Sequence, residues 1–300
     1  MNESDAQEGL FVEPFNSAHY IEYSLNKGIK KQDILNACNS SLKHNLDCFI
    51  NIAFGASTWD SINPDWRPKD LVPFTQLDGN NGYSMPSNQS DIFFWIHGND
   101  QGEVMHALLH VNKCMKPIAD IALEVNGFKD KENRDLTGFV DGTENPEGNV
   151  RLQACLIPEG ETGAGGSYVF TQQWQHNLEK FNQLSITEQE QVIGRTKLTD
   201  EELEGDDNPP TSHVSRTDAK VDGVPMKIFR RSTPYANAND HGLYFLSFAS
   251  ELRRITVQLN RMLGNTDDGY SDHIMNFSTP KSGAFWFMPS KNDLKQFLEN

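Results

Sequence analysis

The four cysteines of this 300-residue chain, Cys38, Cys48, Cys114 and Cys155, form no C-x-x-C pair. Neither a zinc knuckle nor a disulfide framework is therefore signalled, and the cysteines read as buried thiols. No apolar run approaches the ~18 residues of a membrane-spanning helix. The opening MNESDAQEGLFVEPF has neither the basic nor the apolar region of a secretory signal. Positive charge is scarce: 26 Lys and Arg face 42 Asp and Glu, a formal charge of −16 that repels nucleic-acid phosphates and anionic membranes. These absences leave small molecules or proteins as partners, with no nucleic acid and no membrane, and point to a cytoplasmic location.

What is present is material for a packed core: 37% hydrophobic residues, including 18 Phe and 5 Trp. Single cores stop growing near ~250–300 residues, so two domains are expected. In the first half, SAHYIEYSL, CFINIAFGA, SDIFFWIHG and ALEVNGFKD read as strands. Between them KQDILNACNSSL and GEVMHALLHVNKCMK read as helices; in the latter Val104, Leu108, Val111 and Met115 share one face. The order strand, helix, strand, strand, helix, strand is that of a ferredoxin-like α+β unit with an antiparallel sheet. The second half alternates in the same style. GAGGSYVFTQQWQHNLEKFNQL reads as a strand passing into an amphipathic helix, MKIFRRSTPY and HGLYFLSFAS as strands, LRRITVQLNRML as a helix and GAFWFMPS as a last strand. We therefore expect two ferredoxin-like domains, 1–148 and 149–300. A polar stretch at 194–225 is too long for a plain connection and carries His213.

Three features could carry chemistry. In LTGFVDGTENPEG, residues 136–148, Asp141-Gly142 is a hairpin signal, but the polar run continues well past a two-residue loop and Gly138 precedes it. His213 lies in PPTSHVSRTD, where a lone loop histidine is more often a capping or exposed residue than a ligand. In KIFRRSTPY, Arg230 and Arg231 must point to opposite faces of their strand, so one of them enters a pocket as a donor fork for a carboxylate, a propionate or a developing oxyanion. A fourth constellation, Glu103, His106 and His110, shares a helical face with metal-ligand spacing, although a solvated face explains it more simply.

GFVDGTENPEG resembles the G-x-x-D-G motif of the dye-decolourising peroxidases, and GGSYVFTQQWQHNLEKFNQLSITEQEQVIGRTKLTDEEL resembles the segment that follows it there. SHVSR sits where that family places its haem-ligating histidine, and KIFRRSTPY resembles its distal arginine strand. HGLYFLSFAS and GAFWFMPS match its last strands, whereas DIFFWIHG departs from the usual run. The resemblance is to the shorter, intracellular branch. It implies a pair of ferredoxin-like domains with one b-type haem (iron protoporphyrin IX) per chain, held mainly by the C-terminal half. Without a C-x-x-C-H motif that haem would carry no thioether links.

The resemblance further implies His213 as the iron ligand, Asp141 as the distal acid-base residue, Arg230 as the distal arginine and Ser232 in the distal Asn or Ser position. Asp272, in YSDHIMNFS, matches the acidic partner of the ligating imidazole, and Gly138 and Gly142 would let the backbone approach the porphyrin. The implied activity is reduction of hydrogen peroxide and oxidation of dyes, phenols or other bulky organic reductants through an oxoferryl intermediate, in a homo-oligomer. Trp174, Tyr235, Tyr244 and Trp286 are candidate aromatic relays, although a core role is simpler for each. Two rival readings accompany it: a haem carrier with incidental peroxidase activity, and a non-haem metal protein using Glu103, His106 and His110.

Overall fold

The structure, a computed structural model, describes residues 2–299. The first half supplies β1 (Ser17–Leu25), α1 (Lys31–Leu42), β2 (Phe49–Phe54), β3 (Ile92–Gly98), α2 (Gln101–Met115) and β4 (Ala119–Phe128). The second supplies β5 (Ser167–His176), α3 (His213–Thr217), β6 (Phe229–Arg230), β7 (Thr233–Ala236), β8 (His241–Ala249), α4 (Arg253–Met262), β9 (Ser278–Pro280) and β10 (Ala284–Met288). Every pairing is antiparallel. The first sheet runs β4-β1-β3-β2, and in the second β8 lies between β7 and β5, with β10 on the far side of β5. Both orders are those of a ferredoxin-like α+β unit.

Single residue pairs, Tyr235 with Gly127 and Phe287 with Phe54, join the two sheets at both edges and close them on each other. The period of two along each strand explains the layering. Tyr20, Trp95, Tyr244, Leu246 and Trp286 fill the space between the sheets, while alternate residues such as Ile21, Phe94 and Phe170 belong to the larger core under the helices. On the first sheet, α1 and α2 cover that outer face with Ile34, Leu35, Val104, Leu108 and Val111.

Two expectations change. MKIFRRSTPY is one strand interrupted at Arg231 and Ser232, because the Leu246 N–H is taken by Ser232 Oγ at 3.3 Å, a side chain replacing a rung of the ladder. The helix expected after β5 shrinks to Leu178–Phe181. A separate helix, Ile186–Ile193, starts at the Ser185–Glu188 capping box. No described helix is long and apolar enough to cross a membrane.

Candidate active site

His213 is the first residue of α3, a five-residue helix too short to persist by itself. Neighbours hold it. The Ser212 hydroxyl accepts the Ser215 N–H at 3.1 Å, and Thr217 Oγ1 donates to the His213 carbonyl at 2.7 Å. The fully buried Arg216 grips Asp268 with both guanidinium nitrogens, at 2.7 and 3.2 Å, and donates from Nε to the Arg261 carbonyl of α4. That guanidinium holds the Asp268 carboxyl well below the usual range.

His213 Nδ1 lies 2.6 Å from Oδ2 of Asp272, which is fully buried. The other Asp272 oxygen accepts the Ile274 N–H at 2.9 Å, so the carboxylate cannot turn away. No described residue bonds His213 Nε2, and His213 lines a cavity.

The loop bearing Asp141 folds differently from its strongest turn signal. The reversal falls at Asp135–Gly138, where the Gly138 N–H donates to the Asp135 carbonyl and the Asp135 N–H to the Phe139 carbonyl, both at 2.8 Å. Gly138 takes the left-handed conformation (φ +88°) that such three-residue hairpin loops require. A Cβ there would come within 2.6 Å of Lys197 Cε, so Gly138 admits Lys197 and is not part of the cavity wall. A second turn follows Asp141 at Gly142–Asn145, closed by the Asn145 N–H on the Gly142 carbonyl at 2.9 Å.

Asp141, Gly142, Arg230 and His213 all line one cavity. Its remaining wall is largely apolar: Leu243 and Phe245 of β8, Ile255, Leu259 and Met262 of α4, and Val214, Ile228, Ile274 and Trp174. About 1470 Å³ of atom-free space lies in this cavity and its mouth, open solvent included. Arg195, Lys227 and Glu144 stand among its lining residues; Lys227 reaches both Glu144 (3.3 Å) and Asp218 (3.4 Å). Arg231 goes the other way, into the space between the sheets, where Glu13 and the Val12 carbonyl accept its hydrogen bonds. Ser232 is fully buried and lies outside this cavity.

Four contributors had no sequence signal of their own. Asn145 locks the loop to β6: it accepts the Arg230 N–H at 2.8 Å and donates to the Arg230 carbonyl at 2.9 Å. Asp135 and His176 meet in the wall at 3.3 Å. Burial alone would raise the Asp135 carboxyl, but His176 and two bonds from Thr137 outweigh it and hold it low. Gln172 lines the cavity with both amide atoms buried and unbonded among the described residues.

Glu103, His106 and His110 do not converge. Glu103 accepts the Asp47 N–H at 3.2 Å and His110 Nε2 meets the Ser40 carbonyl at 2.9 Å. Among the described residues no three His, Cys, Asp or Glu form a metal-holding group.

The Dyp-type peroxidase C-terminal family model matches residues 132–293, and the N-terminal one residues 23–129. The chain belongs to the Dyp-type peroxidase family. A dye-decolorizing peroxidase of Mycobacterium tuberculosis is 35% identical over 247 residues, 80% of this chain and 73% of that protein. A Dyp-type peroxidase structure from Shewanella oneidensis superposes with a TM-score of 0.92 at 29% identity, over 100% of this chain and 99% of that one. A variant of Rhodococcus jostii DypB in complex with heme superposes at 0.89 and 28% identity, covering 97% and 98%.

The peroxidase cavity suits a haem on its own chemistry. It offers an imidazole whose second nitrogen has no partner among the described residues, a largely apolar wall, and cationic side chains for carboxylates. Its buried Gln172 amide still lacks a partner.

Proposed function

We propose that this haem-dependent peroxidase uses His213 to hold the iron and Asp141 with Arg230 to handle hydrogen peroxide. The observation that carries the reading is the gathering of a carboxylate-backed imidazole, a carboxylate and a guanidinium in one largely apolar cavity. Bound haem would supply the two electrons that peroxide takes and recover them from an organic reductant of the dye or phenol class.

Asp272 accepts the His213 Nδ1 proton, which leaves Nε2 with its lone pair and makes that nitrogen more basic. Asp141 can take a proton from one peroxide oxygen and return it to the other, so that water leaves instead of hydroxide. Arg230 offers fixed positive charge to the oxygen on which negative charge develops. Its backbone is tied to the loop bearing Asp141 by Asn145, which joins the two chain segments that carry these groups.

Ser232 has its hydroxyl engaged by the Leu246 N–H, so its part here is to hold the strand break that follows Arg230. A carrier would need His213 but has no use for the Asp141 and Arg230 pair.

The test is rapid mixing of haem-loaded protein with one equivalent of peroxide, followed by absorption. Asp141→Asn should bind haem normally and react about 10²-fold more slowly or worse. An unaltered rate would remove Asp141 from the proton-transfer role.

A further inference from the structure

His176 ends β5, is 8% exposed and still forms part of the cavity wall. Both ring nitrogens are engaged: Nδ1 lies 2.7 Å from Ser278 Oγ on β9, and Nε2 lies 3.3 Å from Asp135 Oδ1. Asp135 belongs to the loop that carries Asp141. Its other oxygen accepts the Thr137 N–H at 3.2 Å and the Thr137 hydroxyl at 2.8 Å. Above that turn Arg134 bridges Val140, and the Asp141 N–H donates to the Asn133 carbonyl at 2.9 Å. Hydrogen bonds thus run from β9 through His176 to Asp135, and two residues earlier in the same segment the Asn133 carbonyl holds the backbone of Asp141.

We propose that His176 is a positioning residue for the peroxide step, clamping Asp135 to the second sheet and thereby fixing where the Asp141 carboxylate stands in the cavity. The loop has two side-chain anchors to that sheet, Asn145 on Arg230 and Asp135 on His176, and Asp141 lies between them. Asn145 holds the loop after Asp141 and Asp135 holds it before, so the two contacts together set its course past the cavity. Proton transfer requires hydrogen-bond reach, and a shift of ~1 Å at such a group costs on the order of 10²-fold in rate. This inference rests on the role given to Asp141.

The experiment uses the two nitrogens separately. His176→Gln carries an amide toward the Nε2 position and keeps a donor for Asp135, whereas His176→Asn keeps only the Ser278 side. Amide hydrogen exchange is followed in the haem-free full chain, and peroxide reaction in the haem-loaded chain, with and without Asp141→Asn. His176→Asn should speed exchange across 133–145 by about tenfold or more while leaving 213–217 unchanged. It should also slow the peroxide reaction by roughly tenfold. His176→Gln should restore most of both, and neither variant should slow Asp141→Asn further.

Native exchange in a folded His176→Asn protein would overturn the clamp, as would effects of His176→Asn and Asp141→Asn that multiply. If Asp141→Asn reacts at the wild-type rate, the role of Asp141 fails instead, and the exchange measurement still decides the clamp. Should His176→Asn not fold, Asp135→Asn, nearly the same shape with a weaker acceptor, is held to the same outcomes.

Discussion

Asn145 and Arg230 are joined by two hydrogen bonds, the Arg230 N–H to Asn145 Oδ1 at 2.8 Å and Asn145 Nδ2 to the Arg230 carbonyl at 2.9 Å. A side-chain amide here does the work of a strand neighbour, satisfying both backbone groups of the cavity arginine. Asn145→Ala would leave both without a protein partner, and each buried orphan costs about 1–3 kcal/mol. Because the site is partly exposed, water offsets some of this. We expect a loss of roughly 2 kcal/mol in chemical denaturation and a slower peroxide reaction. Unchanged stability would show that water fully replaces the amide.

His213→Ala should abolish stoichiometric haem binding and its axial-ligand spectrum. Asp272→Asn is the sharper variant, since it keeps the shape and removes the charge behind Nδ1. Partners of this kind typically contribute 10–100-fold in metal affinity or activity. Haem titration and peroxide kinetics together should register a drop of about that size, and a drop in neither would demote Asp272 to a structural cap.

Lys227 spans Glu144 on the Asp141 loop and Asp218 at the end of α3. All three side chains are at least one-third exposed, so each pair contributes at most about 1 kcal/mol. Lys227→Ala should therefore shift the unfolding midpoint only slightly. Haem transfer to an acceptor globin should become faster, by about fivefold or less. A much larger acceleration would mean that the pair closes the cavity far more tightly than exposed ion pairs do.

Glu22 lies fully buried between the sheets, accepting from Tyr244 Oη at 3.1 Å, Thr171 Oγ1 at 3.2 Å and Asn88 Nδ2 at 3.1 Å. Burial pushes its carboxyl up from the ordinary 4.5 to about 7, with the hydrogen bonds opposing. The folded state therefore holds a proton that the unfolded chain releases. Stability from this group is fully present below about 4.5 and is lost as pH rises through about 7. At about 1.4 kcal/mol per pH unit, the loss is on the order of 3 kcal/mol. Denaturation midpoints at pH 5 and pH 8 should differ in the native chain and converge in Glu22→Gln; equal slopes would place the pH dependence elsewhere.

Much of the frame was legible because it is written in local periodicity. Short apolar runs placed β1, β3, β5, β8 and β10, and the period of two along a strand required Arg230 and Arg231 to part company, as they do. The Asp141-Gly142 dipeptide misled in one respect. The turn there is centred on Thr143 and Glu144, and the chain had already reversed at Asp135–Gly138, where a left-handed glycine and the close approach of Lys197 account for Gly138. Neither is a property of the dipeptide itself.

The sequence by itself determined the strand faces, the two α+β halves and the residue types from which an acid-base and ligand set could be drawn. Only the tertiary structure decided which of them meet. Asp272 reaches His213 from 59 positions away, Asn145 reaches Arg230 from 85, and His176 reaches Asp135 from 41. Local propensity acts over a few residues, whereas these bonds form only once segments far apart in the chain have packed against one another.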